Sequence, residues 1–154
     1  LRRTANGILL KDKHILMIKK PRRGWYAMPG GKMELGESVK EAVTREFQEE
    51  TGLLLEEPQL SGVYTYIIQN DEEIEMEWMM FAFSAKDYTK DLVSESEEGE
   101  LEWIPISDVL DKPMAEGDRL IIKHAIERDE IMYGTFYYTP DYSLLSYRLD
   151  PSIK

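Results

Sequence analysis

GKMELGESVKEAVTREFQEETGL, running from Gly31 to Leu53, decides how the rest of the chain is read. Ser38 and Glu41 have the spacing of a capping box, in which a serine hydroxyl and a glutamate carboxylate each satisfy a free backbone N–H at a helix start. Gly52 stands where a left-handed residue ends a helix. The spacing therefore predicts a helix over 39–51. Positions 39, 42, 43, 46, 49 and 50 fall in one stripe of that helix. Val39, Ala42 and Val43 make the first half apolar, as a core face requires, but Glu46, Glu49 and Glu50 continue the same line. Like charges at i,i+3 and i,i+4 repel by about 0.2–0.5 kcal/mol per pair. Near a helix C-terminus the dipole disfavours each anion by roughly 0.3–1 kcal/mol, and partial burial adds to both. A divalent cation reverses the sign of every term. Carboxylates at the rim of a core form an oxygen cage suited to a hard ion, Mg²⁺ or Mn²⁺. With no cysteine, and only His14 and His124 as nitrogen donors, zinc is the poorer match. The ordinary alternative is a solvated acidic face, and the overlap with Val39 and Val43 argues against it.

Beyond this stretch the chain reads as globular. At 154 residues, 42% hydrophobic and 32% charged, it is long enough for a real core and fits one domain over 1–154. A net charge of −11 opposes DNA, general RNA or membrane-surface partners, which need a basic footprint. A small anionic substrate stays compatible if a cation mediates. No cysteine means no disulfide framework. No signal peptide is visible, and the longest apolar run, Met79–Phe83, is too short to span a bilayer, so a cytoplasmic protein is expected.

Ala5–Leu10 and His14–Lys19 read as a hairpin around Lys11-Asp12-Lys13. Lys20-Pro21-Arg22-Arg23-Gly24 is a basic loop, and Trp25–Met28 a short strand ended by Pro29-Gly30-Gly31. Leu60–Gln69 and Ile74–Ala85 are longer strands around Asn70-Asp71. An acidic loop, Ser94–Glu100, precedes a strand at Glu102–Ile104. Ser107 is read as the cap of a short helix through Leu110, and Asp118 as the cap of a helix over Arg119–Asp129. Thr135–Thr139 and Leu144–Leu149 read as a final strand pair. The sum predicts an α/β (α+β) fold with helices on both faces of a mixed sheet.

The segment 31–53 resembles the signature of the Nudix hydrolase family, G-x5-E-x7-R-E-U-x-E-E-x-G-U with U a bulky apolar residue. Gly31, Glu37, Arg45, Glu46, Phe47, Glu49, Glu50, Gly52 and Leu53 fill it, with Phe47 an aromatic where Leu or Ile is more usual. The general look is of the MutT-like branch. The resemblance implies an αβα sandwich and hydrolysis of phosphoric anhydride bonds in a nucleotide, with metal-assisted attack of water on phosphorus. It implies metal ligands at Glu46, Glu49, Glu50 and the main-chain carbonyl of Gly30. Arg45 and Glu49 fall among the catalytic residues, while Glu37 and Gly52 are structural in the motif. An Arg45–Glu37 pair would hold the loop against the helix. MutT-like enzymes often add a glutamate from a distant loop; Glu98 is the first candidate and Glu97 the second. Arg22, Arg23 and Gly31 are the expected substrate-binding residues.

The resemblance also bears on substrate. Dinucleoside-polyphosphate members often carry Tyr about 16–18 residues after the box, where Gln69, Asn70 and Asp71 stand here. ADP-ribose members often carry Pro about 15–16 residues after it, where Ile68 and Gln69 stand. A nucleoside triphosphate such as 8-oxo-dGTP, cleaved to the monophosphate and pyrophosphate, is the leading expectation; ppGpp and pppGpp would share guanine recognition. A non-catalytic nucleotide-binding regulator would lack a box carboxylate, and all are present. An RNA decapping hydrolase would want a basic channel. Trp25, Trp78 and Tyr64 are expected in the core before any stacking role, and His124 is expected to be structural. An extension over about 133–154 would cover a sheet edge or help form a homodimer.

Overall fold

The computed structural model describes residues 2–152. Strands β1 (Arg2–Lys11) and β2 (His14–Lys19) form the opening hairpin, and β3 (Tyr26–Ala27) and β4 (Gly30–Lys32) lead into α1 (Val39–Thr51). After β5 (Leu54–Glu56), β6 (Gln59–Asn70) and β7 (Glu73–Ala85) make a long hairpin. β8 (Asp87–Thr89) then pairs with β5. β9 (Glu100–Pro105) precedes α2 (Ile106–Val109) and α3 (Glu116–Glu127), and β10 (Met132–Tyr138) and β11 (Leu144–Asp150) follow.

The sheet is mixed, in the order β11-β10-β6-β7-β1, with β1 parallel to β7 and β10 parallel to β6. β1 and β2 pair only at Leu10–Ile15 and Lys11–His14 and then part. β2 continues against β3 and β9, while β4 takes its place beside β1, setting Asn6 opposite Gly30 and Ala5 opposite Gly31. This split in the sheet is where α1 begins its approach. Asp12 and Lys13 make the hairpin turn with φ of 51° and 63°, the left-handed pair a two-residue hairpin turn needs.

Alternation sorts the core into two layers, as both-face coverage demands. Ala5, Leu9, Leu16, Phe83 and Ala85 pack with Ala42, Val43 and Phe47 of α1. Ile8, Ile15, Met17, Tyr64 and Phe136 pack with Ile121 and Ile122 of α3 on the other face. The aromatic at Phe47 has a local reason. Its ring is fully buried over Gly7, where a Cβ would sit 2.6 Å from Phe47 Cδ2. Gly7→Ala is expected to cost about 1–3 kcal/mol by overpacking. Adding Phe47→Leu should restore most of it, because leucine vacates that space. Chemical denaturation of the single and double variants checks this; additive losses would mean that the two residues do not share the site.

Three local readings are corrected. Gly30 and Gly31 do not merely end a strand but lie in β4, which pairs with β1. Ser107 caps nothing: α2 starts after Pro105 without a side-chain cap. Asp118 is not a cap either, since α3 starts at Glu116 after Ala115 and the Asp118 carboxylate is turned inward to accept from Tyr66 Oη at 2.7 Å. Beside the exposed Glu73, Glu75 and Glu77, Ile74 and Met76 are also exposed, because that end of the β6–β7 hairpin projects past the core. His124 is structural, buried with its Nε2 2.6 Å from the Glu130 carbonyl.

Candidate active site

Helix α1 begins with the anticipated reciprocal cap: Ser38 N–H donates to Glu41 Oε1 at 2.8 Å, and Glu41 N–H to Ser38 Oγ at 3.1 Å. Gly52 ends it at φ 85°, its N–H bonded to the Gln48 carbonyl. This rigid element delivers the carboxylates to the split in the sheet. Glu46 has only 17% of its side chain exposed and lies against Gly31, where any Cβ would run into Glu46 Oε2. Gly30 holds φ 155° and donates its N–H to Glu50 Oε1 at 3.1 Å. A side chain there would collide with the Ala5 carbonyl, so glycine is required by both conformation and space.

Burial pushes the Glu50 carboxyl up to about 7; the Gly30 N–H and Lys20 oppose the shift, and the nearby charges of Glu98 and Glu46 add to it. Glu98 thus stands near enough to Glu50 to be felt, and its own carboxylate accepts from Lys20 Nζ at 3.2 Å. Among the described residues no such link ties Glu97 to the cluster.

Arg45 organises the other side. Its Nε and Nη2 donate to the two Glu37 oxygens at 2.7 and 3.0 Å. Nη2 also donates to the Lys32 carbonyl at 3.1 Å, and Nη1 to Glu46 at 2.9 Å and Glu49 at 3.2 Å. Arg45 holds the Glu37 carboxyl down to about 2, helped by the Glu34 N–H. With its guanidinium fully committed, Arg45 has the place of a positioning residue. Glu49 is 57% exposed and turned toward Arg45. Among the described residues no trio of acidic or histidine side chains is already gathered as a metal cage. The donor chemistry nonetheless fits a hard divalent cation: Glu46 and Glu50 flank the two glycines, every donor is oxygen, and the charge on Glu50 is poorly solvated where it stands.

Three cavities lie around the cluster. One, of about 630 Å³, runs along the outer side of α1 and includes Arg45 and Glu49. Another, of about 530 Å³, is lined by Lys19, Lys20, Ser96 and Gly99, on the Lys20 side of Glu98. The third, of about 230 Å³, reaches Gly31 and is walled by Tyr66, Trp78, Tyr138 and Tyr142, with Asp118 among its lining residues. Tyr66 stacks on Trp78 at 5.0 Å and on Tyr138 at 5.8 Å. Burial pushes the Asp118 carboxyl up to about 6 against the Tyr66 hydrogen bond, which lowers it. Sequence reading missed Asp118 in this place; a carboxylate on the inner side of an amphipathic helix was the available signal. Arg22 is exposed. Arg23, expected at the substrate phosphates, instead lays its guanidinium 4.9 Å from the Trp25 ring and 5.8 Å from that of Tyr142.

The NUDIX domain family matches residues 1–125 of this chain. The chain belongs to the Nudix hydrolase family. Members of this Nudix family act on phosphoric anhydride bonds and generally use divalent metal ions. Over 98% of its length the chain is 51% identical to an uncharacterized Nudix hydrolase, YvcI, of Bacillus subtilis, and it spans 96% of that protein. The crystal structure of a mutator MutT protein from Bacillus halodurans superposes with a TM-score of 0.97 at 47% identity, covering 99% of this chain and 100% of that one. An 8-oxo-(d)GTP phosphatase of Mycolicibacterium smegmatis is 27% identical over 74% of this Nudix chain, which spans 34% of that protein. Among the described residues no helix is long and apolar enough to cross a membrane.

Proposed function

We propose that this Nudix hydrolase is a Mg²⁺-dependent nucleoside triphosphate pyrophosphohydrolase of MutT type that prefers guanine or oxidised guanine bases. The observation that carries the reading is the adjacency of two things at Gly31: the Glu46 and Glu50 carboxylates on one side and the aromatic cavity with Asp118 on the other. Phosphates would lie at the first and the base in the second. At about 230 Å³ the cavity falls below the roughly 300 Å³ at which whole-ligand sites begin, a size for one ring system with the phosphates outside it. Trp78 lines the cavity with an indole face for stacking, backed by Tyr66, which is itself stacked on Trp78 and on Tyr138. The guanine edge offers two adjacent N–H donors, which a carboxylate accepts together and an adenine edge does not supply. Asp118 is the group placed to accept them. The relatives whose names mention MutT and 8-oxo-(d)GTP support this choice.

Glu46, Glu49, Glu50 and the Gly30 carbonyl would hold Mg²⁺ (or Mn²⁺), which when bound neutralises polyphosphate charge and lowers the pKa of the attacking water. Glu98, held by Lys20 within reach of the field at Glu50, would be the base for the attacking water. Lys20, which pairs with Glu98, and the exposed Arg22 would meet the incoming phosphates. Arg45 and Glu37 keep the box loop against α1, so that Gly30 and Gly31 stay close to the reacting phosphate.

The test is product release from a panel of 8-oxo-dGTP, GTP, ppGpp and ADP-ribose, with Mg²⁺ and with chelator, for the parent and Glu49→Gln. The expected result is fastest turnover of a guanine triphosphate to monophosphate and pyrophosphate. Chelator should abolish it, and the variant should be slower by at least ~100-fold. ADP-ribose as the best substrate would sink the triphosphate reading; an unchanged rate in Glu49→Gln would sink the assignment of Glu49.

A further inference from the structure

β10 and β11 follow the portion matched by the NUDIX family, yet the turn between them supplies a wall of the aromatic cavity. That turn, Thr139-Pro140-Asp141-Tyr142-Ser143, is tied to itself. Tyr142 N–H donates to the Thr139 carbonyl at 2.9 Å, Thr139 N–H to the Ser143 carbonyl at 2.9 Å, and Ser143 N–H to Thr139 Oγ1 at 3.0 Å. Hairpin turns of this build end on a left-handed residue, the usual place for glycine. Tyr142 occupies it, with φ 65°. A bulky side chain in that conformation is costly and persists only where its surroundings hold it.

The surroundings are specific. The Tyr142 ring lines the cavity and lies 6.0 Å from that of Tyr138, tilted by 58°. Arg23 places its guanidinium 5.8 Å from the same ring, stacks on Trp25 as well, and donates Nη1 to the Asp141 carbonyl at 3.0 Å. Arg23 is itself left-handed, at φ 69°. Two non-glycine residues in strained backbone, one from the loop ahead of β3 and one from the C-terminal hairpin, therefore meet face to face.

We infer that Arg23 latches the C-terminal turn to this loop and that Tyr142, so held, is the outer stacking wall for the nucleobase. Arg23 is then a positioning residue and Tyr142 a specificity-determining one. The inference rests on the base-pocket reading proposed above. The guanidinium is spent on two aromatic faces and one carbonyl, so its charge serves the base end of the substrate and not the phosphates.

The experiment compares Tyr142→Gly, Arg23→Ala, Arg23→Lys and Trp78→Ala in three readouts: steady-state kinetics with the best nucleoside triphosphate of the panel, inhibition by inorganic tripolyphosphate, and thermal melting. Tyr142→Gly and Arg23→Ala should raise KM about 5- to 150-fold, the range that loss of one base-stacking aromatic gives, with kcat within about twofold. Arg23→Lys should fall between Arg23→Ala and the parent. The inhibition constant of tripolyphosphate, which has no base, should not move. Tyr142→Gly should melt no lower than the parent, because glycine suits the left-handed position; a merely structural tyrosine would instead lower the melting temperature. If the tripolyphosphate constant rises in step with KM, Arg23 is a phosphate ligand and the latch is wrong. If Trp78→Ala raises KM while Tyr142→Gly and Arg23→Ala do not, the pocket stands and the latch falls. If Trp78→Ala also leaves KM unmoved, the base-pocket reading fails and takes the latch with it.

Discussion

Glu50→Gln should abolish turnover, by at least ~100-fold, and at the same time make the metal-free protein more stable. The loss follows if Glu50 helps hold the ion that activates water. The gain follows from the surroundings of the carboxylate. Burial pushes Glu50 up to about 7, so above that pH the fold carries a poorly solvated anion beside Glu46 and Glu98. Glutamine keeps an oxygen for the Gly30 N–H and removes the charge. A raised carboxyl pKa favours the fold at low pH, and that contribution disappears as pH rises through the folded-state value. The advantage of the variant should therefore be clear at about pH 8 and vanish toward about pH 5. Allowing for partial exposure, its size is on the order of 1–2 kcal/mol, a few degrees in Tm for a chain of this length. Saturating Mg²⁺ should reverse the order, since only the parent gains the full binding energy. Scanning calorimetry at both pH values, with and without Mg²⁺, reads all of this. A metal-free variant that melts below the parent at pH 8 would show that the carboxylate is not held against its solvation preference.

The same contrast explains what could be read from the chain. α1 was legible to the residue because its signals are local: a reciprocal cap at Ser38 and Glu41, a left-handed glycine at Gly52, and a stripe whose second half is acidic. β4, β5 and β8 were not, because three-residue strands carry no periodicity and exist only through their partners. Asp118 looked like a cap because aspartate is common there, but its place is set by Tyr66, far away in sequence. Arg23 was read by its charge, whereas Trp25 and Tyr142 determine where that charge goes. Contacts set by neighbours along α1 are legible in the chain; contacts set by partners that the sheet brings together, as for Asp118 and Arg23, are not.

Arg45→Lys separates charge from geometry at the centre of that legible part. Lysine keeps the positive charge but has no planar fork, so it cannot span both Glu37 oxygens while reaching Glu46, Glu49 and the Lys32 carbonyl. The box loop then loses its tie to α1, and Glu46 and Glu49 lose the group that fixes their orientation. Substitutions in such supporting contacts typically cost 10–100-fold in metal affinity or activity. We expect kcat to fall by about that factor and the Mg²⁺ concentration for half-maximal rate to rise, with nucleotide KM changing less than about threefold, because the base pocket lies beyond Gly31. Titrating activity with Mg²⁺ at saturating nucleotide isolates the effect. Were the variant to need no more Mg²⁺ than the parent, simple charge balance would suffice and the fork geometry around Glu37 would have no part in the chemistry. Were KM alone to rise, Arg45 would be holding substrate and not the carboxylates.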